Sequence, residues 1–189
     1  MSFPKSIKII AACTHKFGIG KSGSIPWNIS KDMNFFKEKT TSTKDLYKSN
    51  AIIMGRSTWT SIGSIPLKNR YNCILSNSLN RFEGSSIYID NDLTRMITTL
   101  KSKPLIDNIY IIGGSKVYEE AFKLFEKRIE CVYLNIIHKD YECDRKIILP
   151  TSYIQVSCET EKVFESRSKE WVNMDKCIYE YTDWKNYLP

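Results

Sequence analysis

The chain has 189 residues, 42% of them hydrophobic and 26% charged, which suits one compact domain (1–189) with a sizeable core. No run of about eighteen apolar residues occurs, so no helical membrane span is expected, and the first residues lack the long apolar stretch of a secretory signal. A net charge of +7 invites a nucleic-acid partner, but the lysines are spread without an aromatic-studded basic stripe, so a small polyanionic ligand is expected and nucleic acid is not.

The six cysteines (13, 73, 131, 143, 158 and 177) form no Cys-x-x-Cys pair, and histidines 15 and 138 stand alone. No metal site is expected from that spacing. The cysteines read as reduced thiols, several of them buried in strands, of a cytoplasmic protein.

Residues 7–13 (Ile-Lys-Ile-Ile-Ala-Ala-Cys) are a nearly continuous apolar run, the pattern of a strand buried on both faces. Small residues at 11 and 12 let a flat ligand approach the backbone. Residues 17–23 carry three glycines in six positions, which predicts a mobile, tight-turning cover over a site. That stretch lacks the P-loop pattern and runs into Pro26 instead of a helix.

Pro26 fixes its own φ and keeps Ile25 out of helical angles. Ser30 is a good N-cap for a helix that places Asp32, Met33 and Phe36 on one side. Asp32 falls in the first helical turn, where a negative charge is favoured, so it has a capping role open to it as well as a chemical one.

Residues 51–54 (Ala-Ile-Ile-Met) form a second buried strand, and Gly55-Arg56-Ser57-Thr58-Trp59 follows directly. A strand, a glycine, then hydroxyl and basic residues opening a helix can hold phosphate on helix N–H groups. The layout recurs: residues 108–112 are strand-like, and Gly113-Gly114-Ser115-Lys116-Val117-Tyr118 leads into another helix. Two such turns could grip both ends of a dinucleotide, although neither is the Gly-x-Gly-x-x-Gly fingerprint. Between them lie strands at 71–76 and 87–89, a polar loop with Gly84, and a helix at 93–100 with apolar 93, 96, 97 and 100. A strand at 131–138 follows, and residues 153–181 alternate as antiparallel strands. The count is about eight strands and four helices in an α/β domain.

Several blocks together resemble the dihydrofolate reductases. They are Ile9-Ile10-Ala11-Ala12, Gly18-Ile19-Gly20, Pro26-Trp27, Asp32 with Phe36, residues 54–59, Pro66-Leu67-Lys68-Asn69-Arg70, and Ile112-Gly113-Gly114 with Val117-Tyr118. The likeness runs from about residue 7 to 144, and the ending Tyr-Glu-Tyr-Thr-Asp-Trp is similar to the last strand of fungal-type members. It implies a central mixed eight-stranded sheet flanked by four helices, NADPH as cofactor and 7,8-dihydrofolate as substrate. It also implies a monomer with no membrane partner that binds antifolate inhibitors.

The resemblance makes Asp32 the catalytic carboxylate, holding a pterin ring in an apolar slot. Ile10, Ala11, Met33, Phe36, Ile62, Leu67 and Ile112 match the slot's walls, each with a plain core reading beside it. Arg70 matches the arginine that takes the substrate's glutamate α-carboxylate. Ala12, Ile19, Gly20 and Tyr118 match residues near nicotinamide, with Tyr118 reaching the substrate too. Gly55, Arg56, Ser57, Thr58 and Ser76, with Gly113, Gly114, Ser115, Lys116 and Val117, match the phosphate and adenosine contacts.

Three departures stand out. Asn135 occupies the place of the threonine that usually supports the carboxylate, so it is expected to support Asp32 through its amide. Residues 145–150 are longer than the family pattern and lack its aromatics. Asn77 stands where a second basic or hydroxyl group often meets the 2′-phosphate. Two other readings stay open: a reductase of the same fold acting on a pyrimidine intermediate of riboflavin synthesis, and a binding protein without activity. Pro26-Trp27, Asp32 and Arg70 argue against the first, and Asp32 with both glycine turns against the second.

Overall fold

A computed structural model describes residues 5–183; Trp184, part of the C-terminal likeness, lies outside them. The chain runs β1 (Ile7–Thr14), β2 (Gly18–Gly20), α1 (Ser30–Thr41), β3 (Ser49–Gly55), α2 (Arg56–Ser61), β4 (Arg70–Leu75), β5 (Phe82–Glu83), β6 (Ile87–Asp90) and α3 (Leu93–Ser102). It continues with β7 (Ile106–Gly113), α4 (Ser115–Phe125), β8 (Ile129–Ile137), β9 (Arg145–Lys146), β10 (Tyr153–Glu165) and β11 (Glu170–Tyr181). One mixed sheet has the order β10-β11-β8-β1-β7-β3-β4-β6-β5, and β2 pairs with β9 as a separate ribbon. The expected eight strands become nine because the exposed dipeptide β5 joins the edge beside β6, too short to show any alternation.

Strand alternation builds the two faces. Ile7, Ile9, Ala51, Ile53 and Cys73 pack under α3 and α4, with Met96, Leu100, Ala121 and Phe122. Ile10, Ile52, Met54 and Ile74 point the other way, toward Phe35 and Phe36 of α1 and Trp59 of α2. That is why these strands read as unbroken apolar runs: each buries both sides. In α3 the buried residues are Leu93, Met96, Ile97 and Leu100, the stripe that a period of 3.6 dictates.

The Asp92 carboxylate caps α3, accepting from the Arg95 N–H at 2.8 Å. Asp92→Ala is expected to lower stability by about 1 kcal/mol in urea melts; an unchanged midpoint would show that the cap contributes nothing here.

Three local expectations are corrected. Ser30 is the first residue of α1, and the cap position falls on Ile29, with no side-chain cap bond. Ile29 is buried and bridges to Glu165, which holds the chain extended one residue earlier than propensity suggests. The glycine stretch is no free loop: β2 pairs antiparallel with β9, and the Ile147 N–H donates to the Phe17 carbonyl at 3.0 Å. Gly18 is required there, since a Cβ would lie 2.6 Å from the Cys143 Cβ.

Nor are all cysteines reduced thiols. Cys158 and Cys177 are joined by a disulfide, facing each other across β10 and β11 with Cα atoms 4.1 Å apart. The turn at 166–169 sets that register, and a spacing of nineteen residues alone does not announce it. Asp175 brings a carboxylate within 4.8 Å of both sulfurs, but those sulfurs are bonded to each other. Cys13, Cys73, Cys131 and Cys143 are free.

Candidate active site

The sheet opens at its centre. Pairing of β1 with β7 runs only from Ile7↔Ile109 to Ile9↔Ile111, whereas pairing with β8 continues to Thr14↔Ile137. Beyond Ile9, β1 therefore parts from β7. The gap is a cleft of about 940 Å³ at the carboxyl ends of the parallel strands, where open α/β sheets place their ligands. The Tyr118 hydroxyl donates to the Ile10 carbonyl at 3.0 Å, taking up an acceptor exposed by the parting.

One part of the cleft holds a buried acid. Asp32 of α1 is 6% exposed. One of its oxygens accepts from Asn135 Nδ2 at 2.8 Å, and Trp27 Nε1 lies 3.4 Å from the other. Burial raises the Asp32 pKa above the ordinary carboxylate value, while the Asn135 and Trp27 N–H groups pull it back down. The support expected from Asn135 is thus a direct bond. Glu120 and Asp144 also line the cleft, but both are at least partly exposed. Ile10, Ala11, Met33, Phe36, Ile62, Leu67 and Ile112 line the same cavity.

The other part is built by the two glycine turns, which the sheet sets side by side, with Met54 of β3 opposite Gly113 of β7. Neither α2 at Gly55 nor α4 at Gly114 has a side-chain cap. A Cβ on Gly55 would lie 3.0 Å from Val117, and Gly113 holds φ +115 with the Tyr118 hydroxyl 3.1 Å from any Cβ. Gly113 needs glycine for its backbone angle, and a Cβ on Gly55 would press on the Val117 side chain of the other turn. The Gly113–Gly114 peptide is cis. Ala12, Ile19, Gly20, Arg56, Ser57, Thr58, Ser76, Asn77, Ser115 and Lys116 complete this part of the lining.

One expected residue sits differently. Arg70 does not line the main cleft. It lies in an adjoining depression that shares Ile62 and Leu67 with it. Its guanidinium donates to Thr40 Oγ1 at 2.9 Å and the Lys68 carbonyl at 3.1 Å, and lies over the Phe36 ring. Burial lowers its pKa. Arg56 donates to Ser78 at 2.9 Å, while the Ser76 hydroxyl accepts from the Ser78 and Leu79 N–H groups at 3.2 Å each.

Ser78 is therefore a lining residue that the sequence reading missed; a second hydroxyl two residues after Ser76 was the available signal. Phe35 was missed as well, although it stands one helical turn from Asp32; its ring meets Tyr133 edge-on at 6.2 Å. Asp144 and Arg145 reach the rim because β9 is tied to β2, and Asp144 accepts from the Ser22 N–H at 3.0 Å.

A family model described as dihydrofolate reductase matches residues 6–181. The chain is 30% identical over 208 residues to a dihydrofolate reductase of Pneumocystis carinii, covering all of both chains. It is 34% identical to a bifunctional dihydrofolate reductase-thymidylate synthase of Daucus carota, over 77% of this chain and 28% of that longer one. The fold is similar to that of a dihydrofolate reductase from Enterococcus faecalis complexed with NADP(H) and RAB-propyl. The TM-score is 0.77 at 24% identity, covering 97% of this chain and all of the other.

Proposed function

The chain belongs to the dihydrofolate reductase family, and from that premise we propose that it reduces 7,8-dihydrofolate to 5,6,7,8-tetrahydrofolate with NADPH. The reaction puts hydride on C6 and a proton on N5, and supplies one-carbon metabolism for thymidylate, purine and glycine synthesis. The observation that carries the reading is the buried Asp32 carboxylate in a cleft whose other part is a pair of glycine turns.

The residues fit the cofactor. Glycines at 55 and 113 let a dinucleotide reach the backbone, and the uncapped start of α4 offers N–H groups and the positive end of a helix to a phosphate. Arg56, Ser76 and Ser78 offer one charge and two hydroxyls to a 2′-phosphate. Bound there, NADPH supplies the hydride.

Asp32 fixes the pterin by its ring nitrogen and amino group, which orients C6 and favours the protonated substrate. The Asn135 bond holds the carboxylate in place while the substrate arrives. Ile10, Phe36 and Ile112 exclude water around the reacting ring. Arg70, at the mouth, takes the glutamate α-carboxylate. One domain acting as a cytoplasmic monomer, without a membrane or nucleic-acid partner, completes the reading. Among the described residues, no helix is long and apolar enough to cross a membrane.

Loss of NADPH absorbance in the presence of dihydrofolate, abolished by a diaminopyrimidine antifolate, is the test; no loss would overturn the reading. Cofactor choice gives a second check. One charge-assisted contact is worth about 1.5–3 kcal/mol, so Arg56→Ala is expected to cut the NADPH-over-NADH ratio of kcat/KM by about tenfold to a hundredfold. The wild-type ratio should fall as salt rises. A ratio untouched by Arg56→Ala would move the phosphate elsewhere.

A further inference from the structure

The residues offered to a 2′-phosphate, Ser76 and Ser78, sit on a loop (76–81) without regular structure. Both ends of that loop are tied to one residue. Ser76 directly follows β4, and its N–H donates to the Asp90 carbonyl at 2.9 Å. At the far end Arg81 Nε lies 3.3 Å from Asp90 Oδ2. The other support there is β5, an exposed two-residue strand beginning at Phe82, which is a weak anchor by itself.

The Asp90 side chain is fully buried at the end of β6, where an unpaired carboxylate would be costly. Its Oδ1 accepts from the Asn91 N–H at 2.7 Å, the Asp92 N–H at 3.2 Å and Arg95 Nη2. Its Oδ2 accepts from the Tyr88 hydroxyl at 2.7 Å and Arg95 Nε at 2.9 Å, besides facing Arg81. The Arg95 guanidinium holds the carboxyl well below the usual carboxylate range, so it stays ionised near neutral pH. Arg95 Nη2 also donates to the Asn91 side chain at 2.8 Å, and Asn91 lines the cleft. We propose that Asp90 is a positioning residue for cofactor choice: by holding loop 76–81 and Asn91, without touching the ligand, it sets the preference for NADPH over NADH.

The sign of the effect separates positioning from charge. As a charge alone, an anion beside Ser76 opposes a phosphate, so its removal would strengthen the preference. As a positioning group, its removal weakens the preference, because Ser76, Ser78 and the Arg56 that Ser78 holds lose their fixed geometry. This inference rests on the reading of Arg56, Ser76 and Ser78 as the 2′-phosphate site, and the experiment separates the two. Calorimetry follows 2′,5′-ADP and 5′-AMP, which report on this end alone, binding to the full chain, to Asp90→Asn and to Arg81→Gln. The rate constants kcat/KM for NADPH and NADH are measured on the same proteins. Asp90→Asn keeps the shape and removes the charge. The Arg81 side chain is 64% exposed, so Arg81→Gln cuts the tie without entering the core. The preference for 2′,5′-ADP over 5′-AMP is expected to fall about tenfold in Asp90→Asn and about threefold in Arg81→Gln, the scale of one weakened hydrogen bond. Binding of 5′-AMP and kcat/KM for NADH should stay as they are. In Arg81→Gln the relative loss should persist at high salt, where a missing exposed charge has little effect at a distance. A role in stability alone would lower the melting temperature and leave the nucleotide preference in place. An unchanged or raised preference in either folded variant overturns the proposal. A wild type without the preference overturns the phosphate site itself, and this inference with it.

Discussion

Asp32→Asn is expected to lower kcat at pH 7 by about a hundredfold to ten-thousandfold, the range for a positioned acid–base group, while the fold persists. The deficit should shrink toward acidic pH, where more substrate arrives already protonated. The same change has a signed effect on stability. Burial raises the Asp32 pKa in the folded chain, so the folded state keeps its proton to higher pH than the unfolded state does. The stability that this protonation contributes is fully present below the unfolded pKa and is lost as pH rises through the folded one. The ionised carboxylate is then a burden at pH 7 that an amide does not carry. Ligand-free Asp32→Asn should therefore melt above the wild type at pH 7, and the gap should close near pH 3. Undiminished turnover at pH 7 in the folded variant would remove Asp32 from the chemistry. A lower melting temperature at pH 7 would mean that its hydrogen bonds outweigh its burial.

The second large effect is expected at Arg70. If its guanidinium forks onto the glutamate α-carboxylate, Arg70→Leu should weaken dihydrofolate by about 2–4 kcal/mol, the range for removing one partner of a buried charge pair. The ligand-free arrangement supports this, since the side chain is already held by Thr40 and Lys68 over the Phe36 ring and needs little further ordering. A pterin without the glutamate tail should bind both proteins alike. Equal losses for the two ligands would make Arg70 a structural residue of the β4 entrance.

The site was legible in the sequence wherever a residue's neighbours along the chain constrain it. Gly55 and Gly113 stand at strand ends because two helices must start where two backbones nearly touch, and such glycines are visible as strand-glycine-hydroxyl patterns. Asp32, Met33 and Phe36 share a helix face by spacing alone. Residues brought in from the side were harder to see. Ser78 joins Arg56 through a turn, and β9 reaches the cleft rim only because it pairs with β2. The disulfide belongs to the same class, for it depends on hairpin register and not on any local pattern of cysteines.

By itself the sequence determined the order of the longer strands and the helices, the apolar runs of the central strands, the glycine turns and a candidate acid. Periodicity, backbone freedom and residue chemistry are properties of a short stretch, and a short stretch displays them. Only the tertiary structure decided that β1 parts from β7 after Ile9 to open the cleft, that Arg70 sits beside this cleft and not in it, and that Asn135 leaves an acceptor unmet next to Asp32. Each of these is a relation between segments far apart in the chain, set by sheet register and by which groups burial leaves without water.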